Sequence, residues 1–321
     1  MSGSETMAGD WLIVVRAIHF AATAMTVGIL IFRTVVAEPA LRLAQPTADV
    51  VRAQTLGLAW ISHVVSIASG MGWMLLQVLA MSGLSLAEAM TADVIGTVVT
   101  ETQFGQIAEL RLVVAIILAA CLASDRFWGA RWLALASSLG LVAAIAWTGH
   151  AGSTPGELGF LHLAADALHL VAAASWIGGL VSLAVVLAVA RRFQAHRCAS
   201  LVHEAMMRFS TLGIASVVAL LVTGIVNAAI LVGSLQALVV TDYGRLLMLK
   251  IALFAVMIGF AAVNRFWLTP RLVDASSERE QHAVARLTRN CIIEIALGLS
   301  IFAIVGALGT LHPASHLGGS S

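Results

Sequence analysis

Charged side chains are scarce in this chain: Asp, Glu, Lys and Arg make up 11% of 321 residues, while 60% are apolar and the mean hydropathy is +0.96. Soluble domains carry about 25% charged residues, so water is excluded as the main solvent. No basic tract is present and the net charge is +1, which gives no reason to expect nucleic acid as a partner. A nucleotide loop, a His-Glu-x-x-His run, a Ser/His/Asp arrangement and a c-type haem motif are all missing, so nothing proposes hydrolysis or ATP coupling.

What fills the chain is a series of eight apolar runs near residues 12–34, 56–80, 107–123, 132–149, 163–190, 208–233, 245–263 and 292–311. Each approaches the ~20 residues a helix needs to cross a hydrocarbon layer of about 30 Å. The predicted fold class is therefore an all-α integral membrane protein of about eight transmembrane helices, surrounded by membrane lipid. Fourteen of the eighteen Lys and Arg residues fall in the odd-numbered loops. By the positive-inside rule those loops are cytoplasmic and both termini are periplasmic. Met1 to Trp11 holds no Lys or Arg, so the first span is expected to be retained rather than cleaved as a signal. Cys121, Cys198 and Cys291 then lie at cytoplasmic ends or loops, where no disulfide is expected.

The chain resembles itself. Arg16-Ala17-Ile18-His19, running on to Gly28, lines up with Asp166-Ala167-Leu168-His169, running on to Gly178. Ser69-Gly70 with Trp73 matches Thr223-Gly224 with Asn227, and Thr102-Gln103-Phe104-Gly105 with Arg111 matches Thr241-Asp242-Tyr243-Gly244 with Lys250. Asp125-Arg126-Phe127-Trp128 matches Asn264-Arg265-Phe266-Trp267, and Thr148-Gly149-His150 resembles Thr310-Leu311-His312. Five matches in one order, several on rare polar residues, predict two parallel four-helix repeats, residues 1–150 and 151–321, with sites at their junction.

Ionisable groups inside a span cost several kcal/mol unless they face a partner or a polar interior, which makes them functional candidates. Arg16 and His19 in the first span and Asp166 and His169 in the fifth lie in the outer third, roughly 10 Å below the surface at 1.5 Å per residue. Arg111, Asn227 and Lys250 fall at comparable depth, while His150 and His312 cap the fourth and eighth spans on that side. The i, i+3 spacing of Asp166 and His169 puts carboxylate and imidazole on one helical face, where Asp can orient a metal-bound His. Arg111 and Lys250, as cations, are expected to pair with Asp166, Asp242 or Glu109 or to hold an anionic group; Asp242 can equally pair with Arg245. His63 reads as a packing residue or an inner relay, and Glu294 as the cytoplasmic start of the eighth span.

Asp166-Ala-Leu-His169, Ser175-Trp176-Ile177-Gly178-Gly179-Leu180, Arg208-Phe209-Ser210, Thr223-Gly224-Ile225-Val226-Asn227, Thr241-Asp242-Tyr243-Gly244-Arg245 and Asn264-Arg265-Phe266 together resemble the bacterial copper resistance protein D family. Thr148-Gly149-His150-Ala151 and His19 are similar to the same pattern. The resemblance implies a multi-pass inner (plasma) membrane protein that moves copper from the periplasm toward the cytoplasm, often beside a periplasmic partner, copper resistance protein C. The site expected on this reading takes His19, His150, His169 and His312 as copper ligands, with Asp166, Arg16, Arg111, Lys250, Asn227 and Asp242 orienting them or setting the charge. Imidazole suits zinc and iron as well as copper, so the metal rests on the family. A second reading stays open, a haem b-binding oxidoreductase related to protoporphyrinogen oxidases, with His19 and His169 on the iron and Arg111 and Lys250 on the propionates. A third is a scaffold or sensor that displays periplasmic loops to a partner.

Overall fold

The computed structural model describes residues 3–41, 45–193, 198–272 and 277–311. Eight long helices form: α1 Gly3–Phe32, α2 Gln45–Ser82, α3 Gln103–Ala123, α4 Trp128–Ala143, α5 Gly156–Arg192, α6 Ala199–Val232, α7 Asp242–Val263 and α8 Ser277–Leu308. No strand occurs among the described residues. Each long helix, with its short continuations, is long and apolar enough to cross a membrane. The crossings alternate, so the ends at Gly9, Ser82, Gln103, Thr148, Gly156, Val232, Asp242 and Leu308 share one side of the bundle, called the first face below, and the opposite ends share the second.

Several helices begin earlier than the hydropathy predicts. The eighth spanning segment starts at Gln281 rather than near 292, the second at Thr47 rather than 56 and the fifth at Gly156 rather than 163. Hydropathy marks where the chain meets hydrocarbon, whereas a helix continues through the polar interface as long as its backbone bonds close on themselves. The extension carries Glu294 to the middle of the eighth span and puts His162 on α5 rather than in a loop.

Two helices are sheltered and the rest face outward. The apolar stretch of α1 is 78% buried and that of α5 67%, against 6% for α7 and 17% for both α2 and α6. The core is accordingly built on α1 and α5, from Phe20, Val27, Phe32, Leu180, Leu183 and Leu187. The outer helices turn Ile116, Val222, Ile225, Ile251 and Val256 outward, a surface that only lipid solvates without penalty. Exposed aromatics cluster at the ends, with Trp11 and Phe160 at the first face and Trp128, Phe266 and Trp267 at the second, as in the aromatic belts of membrane proteins.

Glycine allows α1 and α5 to meet. A Cβ on Gly28 would stand 1.9 Å from the Ala174 carbonyl oxygen and 2.7 Å from Gly178 Cα, and one on Gly178 would stand 2.6 Å from Gly28 Cα. The backbones touch where neither residue has a side chain, the contact that membrane helices use in place of hydrophobic attraction.

An ion-pair network closes the second face. α1 passes into a π-helical turn, Arg33–Ala37, whose Arg33 is bound in bidentate fashion by Asp125 at 3.0 and 2.8 Å. Glu38 accepts from Arg52 at 3.1 and 2.8 Å, and Arg131 donates to the Asp125 carbonyl at 2.7 Å. The Arg33 side chain is 7% exposed, so removing its partner strands a buried cation. Asp125→Ala is expected to lower stability by about 3 kcal/mol, read as thermal unfolding in detergent, and Arg33→Met/Asp125→Leu to recover most of that loss. An Asp125→Ala protein that melts with the wild type would show the pair to be idle.

Candidate functional site

The two sheltered helices carry the matched histidines His19 and His169, and the same local construction surrounds each. Thr102 caps α3 by accepting from Gly105 N at 3.0 Å while donating to Val98 O at 2.6 Å; Thr241 caps α7 by accepting from Gly244 N at 3.0 Å while donating to Ala237 O at 2.6 Å. These caps set the depth of Arg111 on α3 and Lys250 on α7. On α2 and α6 the Ser69-Gly70 and Thr223-Gly224 pairs meet the imidazoles, since Gly70 and Gly224 leave room for the rings of His19 and His169 while the neighbouring hydroxyls reach Nδ1.

Within that common frame the two sites differ in chemistry. His19, 4% exposed, faces the Ser66 carbonyl with Nδ1 at 2.9 Å. A carbonyl only accepts, so Nδ1 carries the proton and Nε2 carries the lone pair. That lone pair accepts from Arg111 Nη2. Both ring nitrogens of His19 are therefore engaged. Trp73 packs beside them, its ring centroid 5.6 Å from that of His19, with the guanidinium carbons of Arg16 and Arg111 at 5.2 and 5.9 Å. Arg16 also donates to the Gly309 carbonyl at 2.8 Å, tying α1 to the end of α8.

His169 has the same tautomer by a different route. The Thr223 hydroxyl gives its proton to the Ala219 carbonyl at 2.6 Å, so at 2.9 Å it must accept from His169 Nδ1–H. Nε2 again holds the lone pair, and among the described residues no hydrogen bond reaches it. Asp166 stands where the first site has Arg16, and its Oδ1 accepts from Asn227 Nδ2 at 3.2 Å, while Asn227 Oδ1 has no partner among the described residues. Lys250 acts electrostatically on both Asp166 and His169. The second site thus combines a neutral imidazole with a free lone pair, a carboxylate and an unengaged amide oxygen, whereas the first pairs its imidazole with a cation.

The other expected participants fall in varied places. Asp242 is exposed and pairs with Arg245 at 3.7 Å, outside the His169 cluster; it is the adjacent Tyr243, 6% exposed, that interacts with Asp166. Arg111 meets His19 rather than a carboxylate, and Glu109 is exposed. His150 opens the 3-10 turn His150–Ser153 at the first face. His312 lies outside the described residues. His162, 1% exposed, bonds Thr154 at 2.8 Å. His63, also 1% exposed, uses Nε2 on the Ala115 carbonyl at 3.0 Å. Among the described residues no three His, Cys, Asp or Glu side chains stand together as a metal-binding group. All three cysteines are free and buried.

Sequence reasoning passed over Ser66, Ser69, Thr223 and Tyr243 as parts of these sites. The signal for two of them was present, because Ser69-Gly70 and Thr223-Gly224 recur at matched positions in the duplication. It marked a repeat without showing which imidazole the hydroxyl would hold.

Eight spanning helices with ionisable residues folded into their two most sheltered members define a multi-pass membrane protein with an intramembrane polar site near one face. The copper resistance protein D-like N-terminal domain matches residues 7–160 and the copper resistance protein D family matches residues 203–308. The chain is 31% identical over 224 residues to copper resistance protein D of Pseudomonas syringae pv. tomato, covering 68% of this chain and 72% of that one. It is 30% identical over 216 residues to the inner membrane protein YebZ of Escherichia coli, covering 67% and 71%. It is 31% identical over 174 residues to the copper transport protein CutJ of Bacillus subtilis, 54% of this chain but only 29% of that larger protein. The chain belongs to the copper resistance protein D family. None of these names refers to haem, and Arg111, which the haem reading reserves for a propionate, is spent on His19.

Proposed function

We propose that this protein carries copper across the bacterial inner (plasma) membrane, with the first face and both termini in the periplasm, and that His169 is the intramembrane copper ligand. One observation carries the reading: His169 is fixed through Nδ1 by Thr223 and no hydrogen bond among the described residues reaches its Nε2, while Asp166, one turn earlier on the same helix, is held by Asn227. A metal-binding imidazole needs this arrangement, with one nitrogen anchored and the other unprotonated. Asp166 offsets the charge of an arriving cation, and Lys250 weakens the hold so that copper is not trapped. His150 and His312, placed by the sequence near the same side, pass copper inward, and His19 braces the junction under the grip of Arg111. Residues 1–150 and 151–321 act as the two halves between which copper passes. A periplasmic copper resistance protein C is the natural donor.

The test is copper accumulation by proteoliposomes containing the full chain, followed by elemental analysis of the vesicles. Uptake above that of protein-free vesicles is expected. Uptake equal to theirs, with correctly inserted protein, would overturn transport.

A further inference from the structure

Between the middle of the bundle and its second face stands a second polar cluster that neither copper binding nor packing explains. Glu294 lies midway along the eighth span, about 22 Å from Gly309 at 1.5 Å per residue, and is 1% exposed. Its Oε1 accepts from Asn264 Nδ2 at 2.7 Å, while no hydrogen bond within 3.5 Å reaches Oε2 among the described residues, the Trp176 indole N–H acting on the carboxyl from further away. Asn264 cannot flip to serve otherwise, because its Oδ1 accepts from Asn290 Nδ2 at 2.8 Å. A π-helical turn, Asn264–Leu268, holds it there, and the Thr269 hydroxyl and amide satisfy its carbonyl at 2.8 and 2.9 Å. Such turns recur at functional sites.

Among the described residues no cation pairs with this carboxyl. The groups acting on it are the Trp176 side chain from α5 and Asn264 from the end of α7, with Cys291 one turn back on α8; α1, which also packs on α8, presents no charge to it. The matched position in the first half is filled differently. Asp125 stands where the second half has Asn264, and there a bidentate Arg33 closes the site. A lone carboxylate in the membrane interior costs several kcal/mol, so a permanently ionised Glu294 is ruled out on energetic grounds.

A cavity approaches this cluster from one side. Asn290 also lines a cavity of about 260 Å³ at the second face, shared with Arg271, Arg286 and Arg289. At ~30 Å³ per molecule that space holds several waters. Glu294 is thus separated from the cavity by two linked asparagine side chains.

We infer that Glu294 is an exchangeable proton-binding site, in equilibrium with the Asn290-lined cavity, and that its proton occupancy, set by the pH at the second face, controls copper movement. The carboxylate takes one proton from the cavity and becomes neutral, then returns it to the same cavity; no electron moves. Asn264 donates to Oε1 in both states, which keeps the carboxyl in place while Oε2 gains and loses the proton. The control of copper movement rests on the transport reading above, whereas the proton-binding site does not.

Infrared difference spectra of the full chain, titrated from acid to alkaline pH, test the proton-binding site alone. A carboxylic C=O band that fades as pH rises is expected in the wild type, absent from Glu294→Gln and displaced in frequency in Glu294→Asp. A Glu294-dependent band indifferent to pH, or no such band at any pH, overturns the site. Should Glu294→Gln fail to insert, the frequency displacement in Glu294→Asp makes the same assignment. In proteoliposomes an imposed pH gradient is expected to change wild-type copper uptake several-fold and to leave Glu294→Asp responsive but Glu294→Gln unresponsive. Wild-type uptake indifferent to the pH at the second face overturns the control even where the band titrates, and wild-type vesicles that take up no copper defeat the transport reading while the spectra still decide the proton site.

Discussion

His169→Ala is expected to weaken copper binding by the purified protein about 100-fold or more, while His19→Ala leaves affinity nearly unchanged and lowers thermal stability instead. The expectation follows from how each imidazole uses its two nitrogens. Loss of a residue that merely orients a ligand costs 10–100-fold in affinity, so loss of the ligand belongs at or above the top of that range. Thr223→Val, which removes the acceptor for His169 Nδ1–H, should cost about tenfold. His19 has no lone pair to offer while Arg111 occupies Nε2. Its removal leaves the guanidinium of Arg111, 9% exposed, without its partner, at roughly 1–3 kcal/mol. Arg111→Met should do the reverse and convert His19 into a second copper-binding imidazole, raising the copper content of the purified protein. Titration of copper against a competing chelator, with a melting curve for each variant, measures both halves. Equal losses of affinity in His19→Ala and His169→Ala would mean that Arg111 swings away and that the two histidines bind copper together.

The largest structural effect is expected at the crossing of α1 and α5. Gly28→Leu should prevent accumulation of folded protein, and Gly28→Ala should destabilise it by about 3 kcal/mol. The atoms that a new Cβ would meet at 1.9 and 2.7 Å belong to backbone, so no rotamer change relieves the overlap and the helices must part. Parting them disturbs the two members of the fold that carry His19 and His169. Gly57→Ala is the control, since nothing lies within 4 Å of the Cβ it adds, and it should be neutral or slightly stabilising. Size-exclusion profiles in detergent and melting curves compare the three variants. Gly28→Leu behaving as the wild type would show that the contact between the halves is dispensable.

The sequence by itself determined the solvent, the number of crossings and the helices that carry the chemistry. Hydropathy integrates over some twenty residues, so eight long apolar runs are legible without any tertiary information, and a rare Arg, Asp, His or Lys within them is conspicuous. The recurrence of polar motifs in one order along the chain was legible for the same reason, because polar residues are few and a repeated set of them stands out. Family membership followed from ordered motifs, which are also local. Only tertiary structure decided what those residues do. Arg111 and His19 lie 92 positions apart and Thr223 and His169 lie 54 apart, and no local pattern tells a histidine whose second nitrogen is occupied from one whose second nitrogen is free. Glu294 read as the polar start of a span because hydropathy falls at the interface; the helix continues beyond that point, and the carboxyl lies within the bundle against Asn264, 30 residues away. The period and polarity of one helix are inherited from its own residues. Which partner meets each polar atom is set by how eight helices cross, and that depends on close contacts such as Gly28 against Gly178 that no single segment encodes.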